Sequence, residues 1–257
     1  MILRRITQHV KEQNWTAIAI DFVIVVTGVF LGIQLGNWNE DRAEARLGQD
    51  YTERVLADLK GDLEIYRSSS SYFGAVQASI LEADSLLAEP DPDPRALVIA
   101  AYRASEFMTS PHNRATWQQI VSSGDLDLLP QQAFRDGLSD YYRFDPNADA
   151  SNDILLASPY RRLVRSAIPL KVQLDIRERC SDVTDDLNYV VGFQERCDLT
   201  VGDDELAEAA EALKAAPGIR EELRNQYSIV GVVQNNALGN IEPVERLIAM
   251  LEEEMQQ

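Results

Sequence analysis

The sequence predicts an all-α protein, with a single N-terminal transmembrane helix followed by an extracytoplasmic antiparallel helical bundle. Three observations carry that expectation. One apolar run, between Trp15 and Trp38, is long enough to cross a bilayer. Beyond it, apolar residues recur at steps of three and four, as one buried helical face requires. No stretch alternates apolar and polar with the sustained period of two that marks a half-buried strand. The expected organisation is a cytoplasmic segment over 1–14, a membrane helix over 15–38 and one helical domain over 39–257. A domain of roughly 200 residues is large enough to bury one core.

The anchor comes first. At ~1.5 Å rise per residue, about 20 apolar residues match a hydrocarbon core of ~30 Å. Asp21 is the one charge in the run. A cleaved secretory signal is the rival reading, but its apolar core would be ~7–15 residues and would end at a small-residue site. Here the run is longer and exits through Gly36-Asn37-Trp38-Asn39-Glu40. Trp15 and Trp38 stand where amphipathic rings prefer the interface. Arg4, Arg5 and Lys11 precede the run, whereas Glu40 and Asp41 follow it with Arg42. The positive-inside rule then keeps the N-terminus cytoplasmic and sends the remainder outward, into the periplasm of a Gram-negative cell.

Charge and cysteine usage agree. Residues 1–36 hold three of the 24 basic and two of the 42 acidic residues, so the remainder carries 21 against 40, a net −19. Anionic headgroups and nucleic acid repel such a surface, which argues against a nucleic-acid partner. Acidity also keeps an exported domain soluble. The two cysteines, Cys180 and Cys197, both fall on the exported side, where a disulfide closing a short loop is expected.

The periodicity predicts a long helix from Asn37 to about Glu89, with Leu47, Tyr51, Val55, Leu59, Leu63, Tyr66, Phe73, Val76 and Ile80 on its buried face. Ser68 to Ser71 weaken its propensity, and nothing before it forces a break from the membrane helix. Pro90, Pro92 and Pro94 end it. Shorter helices are expected over Ala96–Phe107, over Ala115–Val121 with Gly124 as the stop, and over Gln131–Phe144 behind Pro130. Ala148 to about Arg179 reads as helix kinked or split at Pro159 and Pro169. After the loop Cys180–Cys197, a helix over Asp203–Ala216 is expected, then a turn at Pro217-Gly218. The last helix runs Ile219–Glu254, with Leu223, Tyr227, Val230, Val233, Leu238, Ile241, Val244, Leu247 and Leu251 inward.

Candidate functional residues are few. Gly28, Gly32 and Gly36 line one face of the membrane helix as two overlapping GxxxG units, which let backbones approach closely. Self-association or packing on another membrane protein follows; glycine is also simply common in membrane helices. Asp21 lies ~9 Å past Trp15 at ~1.5 Å per residue. An acid there costs on the order of 2.5–3.5 kcal/mol, less when it snorkels, is protonated or is paired. Snorkelling, pairing with a partner subunit and carrying a proton all remain open. Arg161, Arg162 and Arg165 form a basic cluster that could bind an anion or be bridged internally by acids. Trp117, Tyr141 and Tyr142 read as core. The exported part has one histidine, His112, and no G-x-S-x-G, EF-hand or metal-ligand spacing, so an enzyme, a cofactor and a metal are not expected.

Two stretches carry a family resemblance. Asp21 to Glu40, with its NWNE exit, and Thr116 to Leu129, with SSGDLDLL leading to Tyr141-Tyr142, resemble an uncharacterised family of bacterial single-pass membrane proteins. The resemblance implies topology and membrane-lipid contact but no activity. Ile20-Asp21-Phe22-Val23-Ile24-Val25-Val26 is also similar to the start of the span in ion-driven stator subunits. That likeness implies a proton-carrying Asp21 working against a multi-pass partner; the glycine stripe and the helical domain depart from it. The expected function is a non-enzymatic scaffold or sensor of the bacterial envelope. The alternatives are an ion-coupled subunit or a ligand-sensing ectodomain.

Overall fold

The computed structural model describes residues 15–109, 111–144 and 153–256. The chain is mainly helical. Helix α1 runs unbroken from Trp15 to Ala88, 74 residues, or ~110 Å at ~1.5 Å per residue. Its first part is an apolar stretch none of whose residues is buried. Its second part buries Tyr51, Val55, Leu59, Leu63, Tyr66, Phe73, Val76, Ile80 and Ala83. Leu47, expected on that face, is 38% exposed; it lies one turn before the packed segment begins.

The remaining elements are α2 (Pro94–Ala104), α3 (Ala115–Ser123), a 3-10 turn (Leu126–Leu128), α4 (Gln131–Arg135), α5 (Leu138–Phe144), α6 (Pro159–Ala167), α7 (Leu170–Arg179), β1 (Asp182–Thr184), β2 (Val190–Phe193), α8 (Asp203–Ala215) and α9 (Ile219–Glu254). Local chemistry sets their ends. Pro94 opens α2, where the Asp93 carboxylate accepts from Arg95 N at 3.1 Å. Ser158 caps α6 from Arg161 N, with Pro159 at the first helical position. Gly124 (φ 83°) stops α3 in the left-handed conformation.

Three segments refine or depart from the expectation. The helix expected over Gln131–Phe144 breaks at Asp136-Gly137, because Gly137 adopts φ 98°. The segment Ala148–Arg179, expected to be kinked or split at Pro159 and Pro169, is split at both, each proline standing at the start of a helix; its residues 148–152 lie outside the described residues. The cysteine loop contains an antiparallel hairpin, with Asp182 opposite Phe193 and Val183 opposite Gly192. Its turn is built by Asp185 Oδ1, which accepts from Leu187 N and Tyr189 N, and by Asn188 at φ 66°. Strands of three and four residues are too short to leave a periodic trace.

Helices α1 and α9 form an antiparallel pair. Lys60 meets Glu252, Arg67 meets Glu245 and Arg220 meets Asp84. The pair approaches closely at glycines: a Cβ on Gly74 would lie 3.0 Å from Gln234 Nε2. Two cores flank this spine. One joins the later part of α1 to α2, α6, α7, α8 and the start of α9. The other, nearer the apolar stretch, joins Tyr51–Tyr66 of α1 to α3–α5 and to Ala237–Leu251 of α9. On α9, Tyr227 and Leu238 are 42% and 49% exposed instead of inward. Gln226 takes the buried place, accepting from Ser158 Oγ at 2.7 Å and donating to Ala104 O.

The serine run on α1 has a packing role. Ser68 Oγ donates to Val190 O at 2.6 Å and Ser71 Oγ to Val191 O at 2.8 Å, which seats β2 on the helix. The polar seat satisfies carbonyls that an apolar helix face would leave unpaired.

Candidate functional site

The apolar first part of α1 presents its candidate residues to open space. Gly28, Gly32 and Gly36 sit on continuous helix, and a Cβ added at any of them meets nothing within 4 Å. Asp21 is partly exposed on the same helix. The large apolar residues Phe22 to Leu35 are exposed on every side of the helix, between 42% and 67%. A helix apolar all round and unburied within its own chain fits a membrane anchor.

In the core nearest the apolar part of α1, the SSGDLDLL element docks on that helix. Gly48 makes the docking possible: a Cβ there would lie 2.6 Å from Leu128 O. Tyr51 Oη donates to Asp125 Oδ2 at 2.9 Å. Asp62, 1% exposed, accepts from Arg114 Nη1 at 2.7 Å and Tyr141 Oη at 2.6 Å. The Arg114 guanidinium lies over the rings of Tyr141 and Tyr142, and Trp117 stacks on Tyr142 at 4.4 Å. His112 packs on Tyr66, ring centroids 4.7 Å apart. Burial pushes the Tyr141 hydroxyl far above its ordinary range, reinforced by Tyr66 and Asp62. Asp62, Arg114 and Tyr141 form a hydrogen-bonded junction packed among aromatic rings, the arrangement of a structural joint.

Cys180 and Cys197 are disulfide-bonded, with Cα atoms 4.9 Å apart. The link ties the end of α7 to the chain returning from the hairpin. Beside it, Asp175 accepts from Thr200 N, Thr200 Oγ1, Val201 N and Arg179 Nε. Burial pushes its carboxyl up, but these donors outweigh burial and hold it below the ordinary carboxylate range.

The arginine cluster is divided. Arg165 Nη2 donates to Glu106 Oε1 at 2.7 Å and Arg161 Nη1 reaches Glu106 Oε2 at 3.5 Å. Arg161 Nη1 also donates to Ser105 O, and the Arg165 guanidinium lies 3.4 Å from the Tyr102 ring centroid. Arg162 is exposed and donates to Ala157 O at 2.5 Å. Arg161 and Arg165 therefore form an internal bridge from α6 to the end of α2. Beside the bridge lies a cleft of about 280 Å³ that the sequence did not reveal, lined by Arg103, Glu106, Arg177 and Asp182 together with aromatic rings. Its residues come from α1, α2, α7 and the hairpin, so no local spacing announces it. Among the described residues, no group of three or more His, Cys, Asp or Glu side chains is placed to hold a metal ion.

The fold and site define the class only broadly: a helical, disulfide-linked protein with one helix that fits a membrane anchor. No protein-family model, curated protein or solved structure matches the chain.

Proposed function

We propose that this chain is a non-enzymatic protein of the bacterial envelope, of the single-pass family its anchor and SSGDLDLL element resemble. It spans the inner membrane once, with its N-terminus cytoplasmic. Its helices form a periplasmic antiparallel bundle that scaffolds or senses. Assembly with a second copy or a membrane-protein partner runs through the glycine face of the span. The observation that carries this reading is the first part of α1, apolar on all sides and unburied, with Gly28, Gly32 and Gly36 open on one stripe. The unbroken passage of α1 from that stretch into both cores supports a mechanical link between span and domain.

The test is the native mass of full-length protein in mild detergent, for wild type and Gly32→Ile. Gly32 touches nothing within its own chain, so the substitution leaves the domain folded. Loss of the oligomer or of a co-purifying partner is expected. An assembly that survives Gly32→Ile removes the glycine face as the contact.

A further inference from the structure

The cleft beside the arginine bridge differs from the rest of the surface. Outside residues 1–36 the chain is net −19, yet four arginines gather here around three acids, Glu82, Glu106 and Asp182. Glu106 is already held by Arg161 and Arg165. What remains on the cleft is Arg103, Arg177 and Asp182.

Each of these has capacity left. Of five N–H donors on a guanidinium, Arg103 uses Nη2 to Gln194 O at 2.7 Å, and its buried Nε has no partner. Arg177 uses Nε to Tyr102 Oη at 2.9 Å. Among the described residues nothing donates to the Asp182 carboxylate, and Tyr72, 2% exposed, lines the cleft. Arg103 and Asp182 feel each other's charge, yet no ion pair joins them. Burial, then Glu106, push the Asp182 carboxyl up against the pull of Arg103. Arg177 and Asp182 are exposed and Arg103 is half-buried, so the cleft opens to solvent with unbridged opposite charges on its walls. Water alone could bridge them, but the walls are not those of a water site. Tyr72, Phe107 and Phe193 line the same space, and Tyr72 and Phe193 meet at 5.3 Å.

We propose that this cleft binds a zwitterionic aromatic amino acid, its carboxylate on Arg103 and Arg177, its ammonium on Asp182 and its ring among Tyr72, Phe107 and Phe193. The size agrees, since about 280 Å³ lies near the small end of ligand sites of roughly 300–1,000 Å³. The proposal does not depend on how the span assembles. Occupancy would clamp α2, α7 and the hairpin, and the hairpin rests on α1 through Ser68 and Ser71. A bound ligand thereby reaches the helix that continues into the anchor.

The test is calorimetric titration of full-length protein in mild detergent with L-phenylalanine, hydrocinnamate, which lacks the ammonium, and phenethylamine, which lacks the carboxylate. Saturable binding of phenylalanine is expected, with each truncated analogue at least tenfold weaker. Asp182→Asn should weaken phenylalanine tenfold or more and leave hydrocinnamate unchanged. Strand β1 is exposed along its length, so the variant keeps the fold. No saturable binding of phenylalanine in the millimolar range overturns the proposal. So does hydrocinnamate binding as tightly as phenylalanine, or an Asp182→Asn loss that is equal for both.

Discussion

Gly48 and Gly61 lie on the same helix, and the same substitution should move stability in opposite directions. Alanine in place of glycine within a helix gains ~0.8–1 kcal/mol of propensity, chiefly by restricting the unfolded chain. At Gly61 nothing lies within 4 Å of the new Cβ, so Gly61→Ala should stabilise by about that amount. At Gly48 the new Cβ would sit 2.6 Å from Leu128 O and 3.5 Å from Leu128 C and Cβ. The obstruction is backbone, held in the 3-10 turn whose Leu128 N donates to Asp125 O at 3.0 Å, and it cannot rotate away. Overpacking of this kind costs typically ~1–3 kcal/mol. Against the propensity gain, Gly48→Ala should destabilise by up to ~2 kcal/mol, a difference of ~1–3 kcal/mol between the two variants. The assay is urea denaturation of full-length protein in detergent, followed by far-ultraviolet circular dichroism. If Gly48→Ala proves as stable as Gly61→Ala, the SSGDLDLL element does not dock on α1 as described.

Further outcomes follow from the same structure. Asp62→Ala removes a buried carboxylate from Arg114 and Tyr141 and should cost ~3–5 kcal/mol, measured by the same denaturation. Asp175→Asn should cost ~2 kcal/mol at neutral pH, through weaker bonds from Thr200, Val201 and Arg179. The folded carboxyl lies below its unfolded value, so its contribution is complete above pH ~4 and fades as pH falls through the folded value. The Asn variant's deficit should shrink in that acid range; a deficit independent of pH would contradict the charged role. Replacing both Cys180 and Cys197 by serine frees a loop of sequence separation 17 and should cost ~3 kcal/mol by chain entropy. Proteolysis of the hairpin loop reports the same change locally.

Much of the fold was legible because its signals are local. The buried face of α1 follows from steps of three and four between Tyr51 and Ile80, and Pro90, Pro92 and Pro94 end the helix as expected. The exceptions share a cause. Gln226 displaces Tyr227 from the core because Ser158 and Ala104 O await it across 68 and 122 residues. The serine run, read as a weakness, is the seat for β2, whose existence the periodicity could not register. The arginine cluster looked like one site because Arg161, Arg162 and Arg165 are neighbours in sequence. Glu106 takes two of them, and Arg103 and Arg177 line the open cleft.

By itself the sequence determined what depends on short spacing: an apolar helix with glycines on one stripe, helices bounded by proline and glycine, and a pair of cysteines close in the chain. These follow from helix geometry, backbone sterics and the solvation of apolar surface, which act over a few residues. Only the tertiary structure decided which helices share a core, that Gly48 must be bare to admit Leu128, and that a cleft joins α2 to α7 and the hairpin. Those outcomes rest on contacts across long stretches of chain, such as Arg67 with Glu245, 178 residues apart. Closure over such distances is decided by the packing of the whole core rather than by any one segment's preference.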